Sequence, residues 1–464
     1  MRDLAFFGAA AILFPIALWS PHVGVLLWIW TALLGPNEYL YGFMAEIPFN
    51  KIAAAVTIGT LLLSREPKRF YLDGALKILL AMSALVTASA LDSIVVNEDV
   101  WSILDKFLKA MVLVFLFTGI MHGRHRIHVA LITVALSLGF SATWEGTLFL
   151  VTAGSHRISF ISSVGDNNHA AVAYLMILPI LFYLHRWSDA RLARIVFLIV
   201  ACLDVLAILS TDSRGGFIGL VCVLLAFVAG SRRKGAGLLA IMAVGAMIYL
   251  AAPASWFSRI ETINVASQDN SFMGRVVAWK INTLIALDNP LLGGGLHASQ
   301  RLAVWSHYGA DFARLWFIPT DAPEAQPRAA HSIWFEMLGD LGFTGLALFV
   351  GLIVTLLLYC RQIRRLARDD PSLAWAGDLA SMLQLSVVGY IVAGSAVSMG
   401  YTEIFYVIAA LVSRTRRTAL ELRAASAAAA ADPTARIETL PPWRRGRVAA
   451  PVGAAARSAL RPGG

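Results

Sequence analysis

Cysteine is scarce, with three residues, Cys202, Cys222 and Cys360, in a chain of 464. All three fall in apolar runs, where a thiol behaves as a small hydrophobe, and no paired spacing suggests a disulfide framework or a thiolate metal site. Charge is low as well: Asp, Glu, Lys and Arg make up 14% of the chain, against about 25% in soluble domains. That shortage excludes a water-soluble enzyme and a charge-rich disordered scaffold. A Gly-rich phosphate loop ending in Lys-Ser or Lys-Thr is also missing, so nucleotide-driven chemistry has no seat.

What the chain has instead is hydrophobic length. Apolar residues make up 58% of it and mean hydropathy is +0.69, which points to an all-α polytopic membrane protein. A membrane helix needs about 20 mostly apolar residues. Candidate spans lie near 5–35, 50–64, 74–91, 105–121, 127–146, 168–186, 193–211, 215–230, 236–253, 333–360, 377–396 and 400–413, a total of about twelve. The first is too long for one span and too short for two, and Pro15 and Pro21 lie inside it, so a broken helix or short hairpin is expected there. Met1-Arg2-Asp3 and the apolar stretch behind it resemble a signal peptide. No small-residue cleavage site leads into a soluble domain, so this is expected to be the first membrane segment.

The net charge is +9 and the pI near 9.6, but from Arg414 onward ten arginines face three acids, which places +7 of the total in one tail. A juxtamembrane tail of this kind suits anionic lipid headgroups and equally the bias of cytoplasmic segments toward positive charge. Nucleic acid is not an expected partner. Basic connections at 65–69, 122–126, 185–194, 232–234 and 361–368 alternate along the chain as same-side loops must. They and the tail are expected in the cytoplasm, and the connections at 92–99, 153–169 and 211–216 on the opposite side.

Four regions follow: N-terminal membrane helices over 1–253, a long extracytoplasmic loop over 254–330, C-terminal membrane helices over 331–413, and a basic tail over 414–464, disordered from Ala424 onward. A loop as long as 254–330 is either functional or disordered. Its Trp256, Trp279, Trp305 and Trp316 and its amphipathic run 274–287 favour short helices capping the membrane domain.

Three polar groupings share the extracytoplasmic side. Ser210-Thr211-Asp212-Ser213-Arg214-Gly215-Gly216 joins two spans, and an arginine there can fork onto a phosphate while glycines admit its backbone approach. A snorkelling arginine, or one paired with Asp212, would read the same. Asp269–Trp279 carries Gly274-Arg275 and a tryptophan on whose face a sugar could pack, with Gly293-Gly294-Gly295 further on; loops use glycine for positive φ more often than for phosphate. His331 stands where the long loop re-enters the membrane, with Glu336, Gly342 and Gly345 along the incoming helix. A boundary histidine can take a hydroxyl proton near neutral pH, although a lone one is usually structural. Arg157, Asn167 and Asn168 are candidates to line a glycan or acceptor entrance, and Asp204, inside an apolar span, is expected to make a local polar contact. No Asp-x-Asp pair or histidine cluster on this side offers a metal site, so neither metal nor cofactor is expected.

His331-Ser332, nine residues, Gly342, two residues and Gly345 resemble the signature of the O-antigen ligase and polymerase superfamily, with Ser213-Arg214-Gly215 and Gly274-Arg275 at its two arginine positions. The resemblance runs from about residue 21 to 411. Segments 37–43, 47–50 and 165–169 are similar to O-glycosylation ligases associated with exosortase A systems, although Asp212 stands where that subgroup favours Tyr.

The resemblance implies a GT-C-like fold in the bacterial inner membrane. It implies an inverting, metal-independent transferase moving a glycan from a polyprenyl diphosphate, such as undecaprenyl diphosphate, to a protein or lipid hydroxyl at the periplasmic face. His331 would be the catalytic base or hydroxyl-orienting group, and Arg214 and Arg275 would hold the diphosphate. A polymerase joining lipid-linked repeat units uses the same donor chemistry and is the alternative. A glycolipid transporter would instead show internal repeats and midplane polar sites, and neither is visible.

Overall fold

The computed structural model describes residues 2–230 apart from 159, 162 and 163, positions 235, 242 and 245, and residues 270–431 apart from 321, 322, 324 and 325. The expected basic connection at 232–234, the expected span at 236–253 apart from positions 242 and 245, and residues 254–269 of the expected loop lie outside these residues, as does the chain beyond Ala431. Every other candidate span falls on a helix. Among the described residues, six helices are long and apolar enough to cross a membrane, and four shorter apolar helices accompany them. The chain is an all-α polytopic membrane protein.

Helices α1 (Arg2–Trp19) and α2 (Pro21–Leu34) divide the first apolar run at Ser20, whose backbone is extended, and Pro21 opens α2. Proline suits that position because its missing N–H has no helical partner to lose. After the short α3 (Phe43–Glu46) comes α4 (Phe49–Leu63), which lies so close to α2 that a Cβ on Gly24 would meet Thr57 Oγ1 at 2.8 Å. Next are α5 (Gly74–Leu91), α6 (Glu98–Ile120), α7 (Gly123–Val151), α8 (Asn167–Trp187), α9 (Arg191–Ser210) and α10 (Arg214–Gly230). Asp73, Asn97 and Asp166 cap α5, α6 and α8 through their side-chain oxygens. From Ala170 to Leu181 every residue of α8 is buried, the mark of a helix surrounded by others. On α9, Asp204 is fully buried and neither carboxyl oxygen has a hydrogen-bond partner among the described residues, so the expected local contact is not made. Replacing it with leucine is expected to raise the thermal unfolding midpoint, because an unsatisfied buried polar group costs about 1–3 kcal/mol. A lowered midpoint would show that Asp204 is needed.

The loop region holds α11 (Asn270–Asp288), α12 (Leu302–Ala310) and 3-10 turns at Ala298–Gln300 and Phe312–Leu315. They bury a small core of their own, including Ile281, Ile285, Trp305 and Leu315. The chain then re-enters through α13 (Ile333–Asp369), α14 (Ala374–Gly394) and α15 (Glu403–Ala431).

Basic connections gather at one end of the bundle. Arg126 pairs with Glu66, Arg124 lies over Trp187 and Trp375, Arg186 meets Asp378 at 3.3 Å, and Arg416 Nε donates to Gln362 at 2.6 Å. A boundary at 414 is not where the structure breaks: α15 runs on through it, and Arg414 is fully buried and paired with Glu421 at 2.8 Å. Glu421 on the same helix, together with the Tyr71 and Tyr359 rings, gives the first tail arginines partners that no composition argument reveals.

Candidate active site

His331 stands just before α13 in a left-handed conformation, φ 44°, which a non-glycine residue holds only when its surroundings enforce it. Trp279 on α11 supplies part of that enforcement. Its indole N–H donates to Ala330 O at 2.8 Å, and its ring stacks on Phe335 at 5.0 Å with 7° between planes. One face of Trp279 is therefore covered and its N–H engaged, which ties this residue to the backbone bearing His331. Trp279→Phe keeps the stack and removes that bond. It is expected to lower kcat about tenfold, the worth of one hydrogen bond of ~1.4 kcal/mol, with donor KM little changed; a change confined to KM would place the indole against substrate instead.

The spacing from His331 to Gly342 and Gly345 has a mechanical basis. At Gly342 the backbone takes φ 68° and kinks α13, and Phe343 N donates to Pro290 O at 2.9 Å. A Cβ on Gly342 would lie 2.5 Å from that carbonyl. The glycine triplet docks onto the same kink: Gly294 N donates to Gly339 O at 2.8 Å and Gly295 N to Asp340 O at 3.2 Å. A Cβ on Gly293 would meet the Asp340 backbone at 2.4 Å. The triplet is thus a close-packing device that seats the loop on the histidine-bearing helix.

Arg214 opens α10 from a turn in which Asp212 has φ 56°. Ser213 Oγ donates to Asn168 Oδ1 at 2.7 Å and accepts from Gly216 N at 3.2 Å, while Asn167 Nδ2 donates to Thr211 O at 2.7 Å. Both asparagines therefore secure the turn that presents Arg214, which is exposed. Arg157 donates to Gly154 O at 2.6 Å and His156 O at 2.8 Å, bracing its own loop. Arg275 lies on α11, with the Arg328 guanidinium over the adjacent Gly274, where a Cβ would come 2.2 Å from Nη1.

A second set of polar groups lies near the starts of α8 and α13. Asp166 Oδ1 accepts from His169 Nδ1 at 2.7 Å and from the backbone N–H of Asn168 and His169. Burial alone would raise the Asp166 pKa, but these bonds outweigh it and hold the carboxyl well below the usual range. His169 Nε2 donates to Ser398 O at 2.9 Å, so both ring nitrogens face acceptors, as a doubly protonated ring requires. Glu336, buried on α13, accepts from Gly400 N at 2.7 Å and meets His297 Nε2 at 3.2 Å, while Tyr401 donates to Asp340 at 3.1 Å. Burial alone would lower the His297 pKa, yet the bond to Glu336 and the nearby Asp340 move it upward. His331 shifts the other way: burial, then the Arg275 charge, lower its pKa below 6.5 despite the Asp166 and Glu336 charges. Its Nδ1 is buried without a hydrogen-bond partner among the described residues.

A histidine of lowered basicity beside the Arg275 charge is suited to taking a hydroxyl proton next to an anion. Residues 197–350 match the O-antigen ligase family. Over that segment the chain is similar to the O-antigen ligase superfamily. Residues 1–189 match a second family, of unknown function (DUF5935), and no curated protein matches the chain. The ligase-family match contains Arg214, Arg275, Trp279 and His331, whereas Arg157, Asn167, Asn168 and His169 fall in the other. The candidate site therefore draws on residues from both matched segments. Sequence reasoning assigned no role to His297 or Arg328, because their contacts with Glu336 and Gly274 join positions distant in the chain and no local motif marks them. Among the described residues, no group of three or more His, Cys, Asp or Glu side chains is placed to hold a metal ion.

Proposed function

We propose that this chain is a ligase moving a glycan from a polyprenyl diphosphate to an acceptor hydroxyl at the extracytoplasmic face of the bacterial inner membrane. The observation that carries the reading is the lowered basicity of His331 beside Arg275, within the segment matching the ligase family. His331 Nε2 takes the acceptor proton as the acceptor oxygen attacks the anomeric carbon. The bond from that carbon to the bridging diphosphate oxygen breaks, its electron pair stays on that oxygen, and polyprenyl diphosphate leaves. Arg214 and Arg275 stabilise the charge that grows on the leaving group. Asn167 and Asn168 act by positioning the Arg214 turn, and Trp279 by positioning His331. A single displacement inverts the anomeric configuration.

The clustering of basic connections at the opposite end of the bundle supports an extracytoplasmic site and a cytoplasmic C-terminus. Segments 37–43, 47–50 and 165–169 support the exosortase-associated subgroup, for which exosortase and glycan-assembly genes beside this one are the test. In a strain lacking the protein, unattached lipid-linked polymer is expected to accumulate. Accumulation of single repeat units would make the chain a polymerase instead.

A further inference from the structure

A cavity of about 500 Å³ lies among the ends of α2, α4, α6, α8, α13 and α15 that point away from the basic connections. Its walls include Asn50, Lys106, His169, Glu336, Ser398 and Glu403. Among the described residues no arginine lines it, so Arg214, Arg275 and Arg328 all stand outside. The acids Glu38, Glu336 and Glu403 are offset by Lys106, His169 and His297, which leaves no net cation to hold a diphosphate, whereas amide, hydroxyl and carboxyl groups together suit a neutral polyol.

Two wall atoms carry the argument further. Asn50 Oδ1 and Ser398 Oγ are buried and make no hydrogen bond among the described residues. Buried polar atoms are nearly always satisfied, and a hydroxyl-rich occupant would satisfy both. Glu336 joins the cavity to the chemistry, because it forms part of the wall and lies in the first turn of the helix that His331 precedes.

We propose that this cavity seats the terminal sugar of the acceptor, a neutral hydroxyl-rich group, while the donor diphosphate meets the arginines outside it. The assignment rests on the ligase reading and narrows it, since the attacked donor and the attacking hydroxyl then approach His331 from electrostatically different sides.

The test uses the full chain in phosphatidylcholine nanodiscs with two probes, butyl glucoside for the sugar and inorganic pyrophosphate for the donor head. Wild type is expected to bind both saturably. Asn50→Ala and Ser398→Ala should each weaken glucoside binding about tenfold, the worth of one hydrogen bond, and change pyrophosphate binding less than twofold. Ser398→Ala leaves the carbonyl that meets His169 in place, so it carries the test even if Asn50→Ala fails to fold. Absence of saturable glucoside binding by wild type, or wild-type glucoside affinity in Ser398→Ala, would overturn the assignment. Weakened pyrophosphate binding in that variant would make the cavity the donor's. A transfer assay is read separately: with glucoside as acceptor, Ser398→Ala should raise its KM without moving donor KM. A chain that binds glucoside as expected yet forms no glycosidic bond overturns the ligase reading itself.

Discussion

His331→Ala is expected to lower glycan transfer by about 10²–10⁴-fold, the usual contribution of a positioned general base, with the fold retained. His331 lies outside the helix it precedes, and its Nδ1 makes no hydrogen bond whose loss would loosen the bundle. The pH dependence follows from the same geometry. A base works in its neutral form, and burial together with Arg275 lowers the pKa of this imidazole. Wild-type kcat/KM should therefore stay level as pH falls to 6.5 and decline only below it. A decline beginning well above 6.5 would mean that a different group supplies the base.

Arg275→Ala is expected to cost about 10²–10³-fold in kcat, comparable to removing a fixed donor from a developing oxyanion. Lysine should restore little of it, because an ammonium cannot fork onto two phosphate oxygens as a planar guanidinium does. The variant also carries a second signature. Arg275 is one of the charges that lowers the His331 pKa, so its removal should move the acid limb of the residual activity to higher pH. A thousandfold loss with an unmoved limb would separate the arginine from the histidine and weaken the shared-site account.

Much of this architecture was legible from hydrophobic run length, because a bilayer-spanning helix must satisfy its own backbone and so announces itself locally. The break between α1 and α2 at Ser20 follows from Pro21, and α5 occupies the 74–91 run residue for residue. Gly342 was recognisable by its spacing from His331, and the kink supplies the reason. Contacts between distant positions were not legible. Ser213 reaches Asn168 across 45 positions and His169 reaches Ser398 across 229, and neither leaves a periodicity. Trp279 hid its partner for the same reason, since a ring stacked on Phe335 and one with a face offered to a sugar look alike in a string of letters. Arg414 did too: charge counting placed it in a tail, whereas Glu421 two turns along the same helix allows it to be buried.

The most direct test is the anomeric configuration of the product. The purified chain in nanodiscs would be given a polyprenyl-diphosphate donor of defined anomeric configuration and a hydroxyl acceptor, and the new linkage read from its anomeric proton coupling. One in-line displacement predicts a glycosidic bond of inverted configuration, formed in equal amount with released polyprenyl diphosphate. A retained configuration, or movement of the intact lipid-linked glycan across the bilayer with no bond formed, would contradict it.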